Sequence, residues 1–373
     1  IYHKLVVLSM VSEAEKAQFF VILKKLSEAV GVSGHEFEVK RVIIEEISDV
    51  VDEWRVDSLG NIIALKKGGG NGPKIMISAH MDEIGLMVTH IDKRGFLRFT
   101  GVGSWNERIL PGQRVIVCAG DVKVRGVIGA KPPHLMTPEE KKQVIEMKKL
   151  FIDIGATSSD EVKELGIKVG SIAVLDREVV RLGGTDRVTG KAFDDRVGVA
   201  SLIFALKLLS DVEHEAEVYS VFTVQEEIGL KGATVSAFAV KPDVGIAVDV
   251  TTANDIPEVD EKDWVTELGK GPAIKVMDKG NISHPKLREL LIKIAEEEKI
   301  PYQLEVLPGG ATDAAAIMVS REGVPVATIS IPCRYIHSPI EVLDLKDAVY
   351  ASKLLVAFVK KLSRDHIKRF SML

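Results

Sequence analysis

The feature that most constrains the fold of this chain is an alternation of strands and helices in two separated parts. The run KIMISAH (74–80) places three consecutive apolar residues in a strand, which suits burial on both faces of a sheet. Other strand-like runs lie at 61–68, 217–224, 244–250, 303–307 and 325–331. Helix-like segments lie at 13–31, 36–50, 194–209, 285–299, 312–320 and 344–362. This alternation predicts an α/β fold with a doubly wound, mixed sheet and helices on both faces.

The stretch between the two parts has a different texture. Residues 82–185 contain short alternating strand-like runs separated by Gly and Pro turns, which predicts a small β-barrel or sandwich-like module. One helix is predicted at 137–150, because Thr137 and Glu140 form a capping-box pattern. At 373 residues the chain is long for one domain. We therefore expect a discontinuous α/β domain (10–81 and 186–373) with an inserted β-rich domain (82–185), preceded by an extension, 1–9, without a structural role.

Composition excludes several classes of function. A net charge of −5 without long like-charged runs argues against nucleic acid as a partner. No apolar run approaches the ~20 residues that span a membrane, and the apolar stretch at 5–11 is short for a signal peptide. Cys118 and Cys333 lie far apart without a C-x-x-C spacing, so we expect a protein of the reducing cytoplasm. Five Asn and five Gln beside abundant Lys and Glu are typical of a hyperthermophile.

Polar residues with metal-binding side chains follow the predicted strands or begin a helix. Ligands of open α/β sheets bind outside the carboxyl ends of the strands, so these residues are expected to lie at one edge. They are His80, Asp82, Asp194, Glu226, Glu227, Asp249 and His337. Taken singly, each has an ordinary explanation: adjacent glutamates are often a solvated pair, and Asp194 with Asp195 can simply begin a helix. Together they favour a functional site.

Two histidines with several carboxylates form a donor set that suits divalent ions such as Zn²⁺, Co²⁺ or Mn²⁺. The adjacent carboxylates of Glu226 and Glu227 repel each other unless a positive charge lies beside them. Because neighbouring residues at a strand end point in different directions, the two side chains can serve two different tasks. A pair of metal ions accounts for both observations.

At several motifs the chain resembles the TET-type (tetrahedral) dinuclear metallo-aminopeptidases, the glutamyl-aminopeptidase and endoglucanase-like family, over almost its whole length from residue 20. The motifs include SAHMDEIGLMV (78–88), KAFDDRVG (191–198), VQEEIGLKGA (224–233), LPGGATDAAAI (307–317) and RYIHSPIEV (334–342). The resemblance implies that Asp194 bridges two ions, with His80 and Asp249 completing one site and Glu227 and His337 the other. It further implies that Asp82 orients His80, that Glu226 is the general base and acid, and that the Asp194–Asp195 peptide is cis.

The same resemblance supplies expectations about ligands and partners. It implies two divalent ions per subunit, zinc or cobalt, short peptides as substrates, and dimers that assemble into a tetrahedral dodecamer. The insert at 82–185 matches the PDZ-like dimerisation domain of that family. The resemblance also implies that a glycine-rich segment forms a wall of the substrate pocket, with the residues Gly309, Gly310, Thr312 and Asp313. The same residues are equally consistent with a turn followed by a helix cap.

Three other functions remain open at this point. A glycosidase needs two carboxylates that face each other across the substrate, and adjacent glutamates are poorly placed for this. Its mechanism also has no role for the two histidines. A di-metal carboxypeptidase or deacylase needs a basic group for the substrate carboxylate. A non-catalytic assembly subunit has no need of Glu226. Sensitivity to a chelator and the response to end-blocked substrates separate these alternatives.

Overall fold

The computed structural model of the protein describes residues 8–370. Its strands, in chain order, are β1 (Glu53–Val56), β2 (Ile62–Lys66), β3 (Lys74–His80), β4 (Gly85–Ile91), β5 (Leu97–Val102), β6 (Arg114–Ala119), β7 (Val122–Gly129), β8 (Phe151–Asp153), β9 (Ile172–Leu175), β10 (Val180–Arg181), β11 (Arg187–Gly190), β12 (Glu217–Thr223), β13 (Val244–Thr252), β14 (Ala273–Met277), β15 (Gln303–Val306), β16 (Val326–Arg334) and β17 (Glu341–Asp344). The helices are α1 (Glu13–Glu28), α2 (Phe37–Ile47), α3 (Pro138–Lys142), α4 (Ser159–Glu164), α5 (Phe193–Leu209), α6 (Lys231–Val240), α7 (Pro285–Glu298), α8 (Asp313–Met318), α9 (Leu345–Lys361) and α10 (Arg364–Phe370).

Within the described residues, eleven strands form one mixed sheet, which confirms the predicted fold class. Its centre runs β12, β3, β13, β16, and these four strands are parallel. Strands β1 and β2 at one end and β17, β11 and β10 at the other pair antiparallel. The carboxyl ends of the four central strands therefore meet at one edge of the sheet.

Helices cover both faces of the sheet. On one face α5 packs against α1 and α9, and the rings of Phe19 and Phe204 meet edge to face with centroids 5.7 Å apart. On the other face α6 and α8 pack together over Met76 and Val221. Because both faces are covered, the central strands are almost continuously apolar, as the run at 74–80 predicts.

The inserted segment forms a closed six-stranded barrel, β4-β5-β8-β7-β6-β9, so the barrel alternative is confirmed and the sandwich alternative is wrong. The predicted helix at 137–150 is wrong for most of its length. The capping box of Thr137 and Glu140 forms, but only α3 is α-helical and a short 3₁₀ turn follows at Met147–Lys149. Most side chains of this stretch are exposed, and a short helix without an apolar face to bury is marginal in water.

Several elements were not predicted from the sequence. They include β1, β11, β14, β17, α4, α6 and α10. Of the N-terminal extension 1–9, residues 1–7 lie outside the described residues, whereas Leu8 is buried against the main core, so the expected lack of a structural role is wrong for Leu8. Among residues 8–370, no helix combines the length and the apolar character needed to cross a membrane.

Candidate metal centre

The five predicted ligands lie together at the carboxyl edge of the parallel strands. The two oxygens of Asp194 face different histidines: Oδ1 lies 3.0 Å from His80 Nε2, and Oδ2 lies 3.2 Å from His337 Nε2. Glu227 Oε1 lies 3.2 Å from His337 Nε2, and Asp249 Oδ1 lies 3.9 Å from His80 Nε2. The cluster therefore divides into two halves that share one carboxylate.

Strand register explains this convergence. His80 ends β3 directly beside Thr223, the last residue of β12, so the turn that carries the two glutamates begins next to the histidine. Asp249 lies near the end of β13, the other neighbour of β3. The Asp194–Asp195 peptide at the start of α5 is cis, as the resemblance implies. Ala192 and His337 adopt left-handed backbone conformations, with φ of 55° and 61°.

The electrostatics of the cluster reflect buried negative charge. Burial raises the pKa of Asp249 to about 8, and it also raises the pKa of Glu227. Burial works against the charge of His337, but its close contacts with the carboxylates of Asp194 and Glu227 raise its pKa to about 11. The pKa of Asp194 is lowered, since the two histidine contacts outweigh burial. Such a cluster is stabilised by positive charge placed among the carboxylates.

Donor chemistry and unsatisfied atoms fit a metal centre. One nitrogen or oxygen from each of His80, Asp194 and Glu227 lies within 4.8 Å of the others, and the same holds for His80, Asp195 and Asp249. Glu227 Oε1 is buried without a well-aligned hydrogen-bond donor, although His337 Nε2 lies 3.2 Å away, so the two atoms are placed to share a cation. Asp195 is partly engaged, because its carboxylate accepts the backbone N–H groups of Gly198 and His80.

Glu226 occupies a position different from that of its neighbour. Its Oε2 lies 3.9 Å from His80 Nε2, and its carboxylate lines the cavity beside the cluster. Burial raises the pKa of Glu226 well above its ordinary value, while the nearby His80 opposes that rise. A carboxyl group with a raised pKa beside a cavity is suited to accepting and releasing a proton.

Asp82 contacts several segments that meet at this edge of the sheet. Its carboxylate accepts hydrogen bonds from Ser33 Oγ at 2.6 Å, from the N–H of Glu226 at 3.0 Å and from the N–H of Glu227 at 3.2 Å. His80 Nδ1 lies 3.2 Å from the backbone carbonyl of Asp82 and 3.5 Å from its carboxylate. The expected contact with His80 is therefore shared with the backbone, and Asp82 also positions both glutamates, which the sequence did not reveal.

Two supporting groups escaped the sequence analysis. Glu341 is buried and accepts N–H hydrogen bonds from Phe193, Asp194 and His337 at 2.5, 3.3 and 2.9 Å. Glu83 is buried between Lys191 Nζ at 2.7 Å and Arg196 Nη2 at 3.2 Å. Glu341 lies four residues after His337 and Glu83 directly follows Asp82, and both lie inside motifs that carry the family resemblance, which is the signal that could have identified them.

A cavity of about 640 Å³ opens beside the cluster. Gly309, Gly310 and Thr312 of the predicted pocket wall line this cavity. Asp313 does not line it, because the side chain is buried and its Oδ2 accepts a hydrogen bond from Thr223 Oγ1 at 2.7 Å. The alternative interpretation as a turn and helix start also holds, since α8 begins at Asp313; Thr312 occupies the cap position but its side chain makes no capping hydrogen bond.

Comparison with known proteins gives matches over most of the chain. A family model described as M42 glutamyl aminopeptidase matches residues 60–354. The lysyl aminopeptidase of Pyrococcus furiosus is 41% identical over 345 residues, which cover 91% of this chain and 96% of that protein. An aminopeptidase structure from the archaeon Desulfurococcus kamchatkensis is 48% identical with a TM-score of 0.92 and covers 96% of this chain and 99% of its own. A structure of the Pyrococcus horikoshii TET1 peptidase, which can assemble into a tetrahedron or a large octahedral shell, is 39% identical with a TM-score of 0.83, covering 92% of this chain and 100% of its own.

Proposed function

Because this chain belongs to the M42 glutamyl aminopeptidase family, it is a metal-dependent aminopeptidase, and we propose that two divalent ions bind at the carboxyl edge of its main sheet. One observation carries the proposal. The carboxylate of Asp194 directs one oxygen toward His80 at 3.0 Å and the other toward His337 at 3.2 Å. A shared carboxylate flanked by two separate donor groups is the arrangement that a pair of ions requires.

We assign His80, Asp249 and Asp194 to one ion and Glu227, His337 and Asp194 to the other. Two imidazoles and three carboxylates suit zinc or cobalt better than an ion that prefers oxygen ligands alone. The position of Glu227 Oε1 supports this assignment, since this buried oxygen has no well-aligned donor and lies 3.2 Å from His337 Nε2, the other ligand of the same ion. When bound, such ions lower the pKa of water and polarise a carbonyl group.

Glu226 is the proposed general base. Its carboxylate lines the cavity, its Oε2 lies 3.9 Å from His80 Nε2, and burial raises its pKa. It accepts a proton from the attacking water and passes that proton to the amine that leaves the peptide. Asp82 fixes the backbone N–H groups of Glu226 and Glu227, so that one carboxylate sets the positions of the base and of a ligand.

The proposed substrates are short peptides with a free N-terminus, bound in the cavity beside Asp194. For the insert we propose an oligomerisation role with domain limits near 82–185, and for the assembly a tetrahedral dodecamer built from dimers. The known assembly of the Pyrococcus horikoshii relative supports this proposal. We further propose a cytoplasmic enzyme of a hyperthermophile; Cys118 and Cys333, both free and buried, and the amide-poor composition support it.

The test measures hydrolysis of aminoacyl nitroanilides after treatment with a chelator and after single divalent ions are added back. We expect activity to disappear with the metal and to return with zinc or cobalt. Acetylated substrates should not be cleaved, whereas peptides with an amidated C-terminus should be. Activity that survives complete metal removal, or that requires a free carboxylate rather than a free amine, contradicts the proposal.

The assembly is tested separately. Replacing the barrel strands, residues 85–175, by a short linker keeps Asp82 and Glu83 and should leave a smaller folded species when its mass is measured by light scattering. An assembly of unchanged subunit number after this deletion contradicts the proposed role of the insert.

A further inference from the structure

The cavity beside the metal centre contains a cation whose charge is already neutralised by the protein. Among the described residues that line the cavity, Lys275 is the only lysine or arginine. We propose that this chain removes uncharged, apolar N-terminal residues and discriminates against N-terminal glutamate, because the one lysine of the cavity wall is already paired with two carboxylates of the protein and is not available to a carboxylate of the substrate. The inference rests on the proposed function and names the substrate class of the same site.

The pairing of Lys275 follows from the edge of the sheet where its strand lies. Strands β14 and β15 are parallel neighbours, and their register places Lys275 beside Glu305. The ammonium nitrogen lies 3.2 Å from Glu305 Oε1 and 3.5 Å from Asp278 Oδ2. Lys275 is only 2% exposed, so water screens these contacts little. Two carboxylates therefore compensate one ammonium group.

Both acidic partners are held in place by further hydrogen bonds. Glu305 Oε1 also accepts from Thr251 Oγ1 at 2.6 Å. Asp278 Oδ1 accepts the N–H groups of Gly280 and Asn281 at 2.8 and 2.7 Å. Glu305 Oε2 and Asp278 Oδ2 are buried without a hydrogen-bond donor. A third carboxylate brought to Lys275 by a glutamyl substrate would meet two fixed negative charges and be repelled by them.

A substrate with an N-terminal lysine does not benefit from the negative charges of Glu305 and Asp278. Glu305 is fully buried and does not line the cavity, whereas Lys275 does. The ammonium group of a lysyl side chain in the cavity would therefore approach Lys275 before it reached either carboxylate. Beside Lys275, therefore, charged side chains of both signs are disfavoured.

The remaining wall suits an aliphatic side chain. It includes apolar side chains from four different parts of the chain, namely Leu230, Val250, Leu307 and Ile336. Gly309 and Gly310 contribute no side chain, and a Cβ atom at either position would have no neighbour within 4 Å. The wall therefore leaves open space bounded by apolar groups, which favours residues such as leucine and methionine.

The experiment compares kcat/KM of the metal-loaded enzyme for leucyl, methionyl, lysyl and glutamyl nitroanilides. We expect leucyl and methionyl substrates to exceed the glutamyl substrate by at least about 100-fold, which corresponds to the cost of juxtaposed like charges. Glu305→Gln leaves Lys275 with Asp278 alone and should raise the ratio of glutamyl to leucyl turnover at least about tenfold. Asp278→Asn should act in the same direction, and Glu322→Gln in an exposed turn is the control.

Thermal unfolding of each variant establishes that it is folded before its kinetics are compared. A wild-type enzyme that cleaves the glutamyl substrate as fast as the leucyl substrate overturns the inference without any variant. A folded Glu305→Gln enzyme with the wild-type ratio of rates also overturns it. Failure to cleave any aminoacyl substrate at any metal loading would instead overturn the proposed function, so the two failures are distinguishable.

Discussion

Replacement of Glu341 by Gln tests how the metal centre is held together. The carboxylate ties two separate segments to each other: Oε2 accepts the N–H groups of Phe193 and Asp194, and Oε1 accepts the N–H group of His337. A glutamine carries one acceptor oxygen. If that oxygen takes the place of Oε2, the amide NH₂ faces the N–H group of His337, and one hydrogen bond is lost.

The size of the effect follows from these contacts. A hydrogen bond to a charged group contributes about 1.5–3 kcal/mol. Burial, together with the charge of Asp194, raises the pKa of Glu341, so that neutralising this side chain also removes some desolvation and repulsion. We expect a net loss of about 1–2 kcal/mol in the free energy of unfolding of the metal-free protein. Metal affinity should fall about 10–100-fold, as for other groups that orient a ligand.

The assay has two parts. Urea unfolding with excess chelator measures the stability of the metal-free protein, and metal content at buffered free-ion concentrations measures affinity. Glu322→Gln, in an exposed turn, is the matched control. A Glu341→Gln protein that loses stability but keeps wild-type metal affinity would refute the claim that Glu341 positions Asp194 and His337. Unchanged values of both quantities would refute the reasoning from hydrogen bonds altogether.

Further predictions concern the two glutamates, the core and one helix end. Glu226→Gln should keep its bound metal and lose about 10²–10⁴-fold in turnover. Glu227→Gln should bind less metal and recover part of its turnover when excess ion is added. Metal analysis and kinetics measure both quantities, and the opposite pattern would reverse the two roles. Phe204→Ala removes a buried ring that packs on Phe19 and should lower the free energy of unfolding in urea by about 3–5 kcal/mol. A loss below about 1 kcal/mol would show that neighbouring side chains move into the cavity. Lys299→Gly replaces an exposed residue with a left-handed φ of 55° at the end of α7 and should raise stability by about 0.5–1 kcal/mol, while a decrease would contradict the assigned strain.

Much of the candidate metal centre is predictable because its parts are local. Each proposed ligand follows a strand or begins a helix that the local sequence predicts. Parallel strands bring their carboxyl ends to one edge of the sheet whatever their order. His80, at the end of β3, and Asp249, in the neighbouring β13, therefore fall on the same edge in the structure. The roles of Asp194 as a bridge and of its cis peptide came from resemblance to a family, since neither spacing nor periodicity specifies them.

Errors of prediction occurred where local signals were weak or absent. The segment 137–150 has a true capping box but exposed side chains, so helical order stops after five residues. Strand β14 was not predicted, and its pairing with β15 joins residues about thirty positions apart. Asp313 looked like part of a pocket wall and instead accepts a hydrogen bond from Thr223, a contact across ninety positions.

The sequence alone therefore determined the α/β class, the inserted β-rich module and the set of candidate metal-binding residues, because each depends on periodicity or on which side chain follows a strand. Only the tertiary structure decided which charges are compensated. The neutralisation of Lys275 by Glu305 and the attachment of His337 to Phe193 through Glu341 depend on strand register and on the close approach of distant segments. Electrostatic and hydrogen-bond energies vary steeply over a few Å, and a pattern of residue types does not contain those distances.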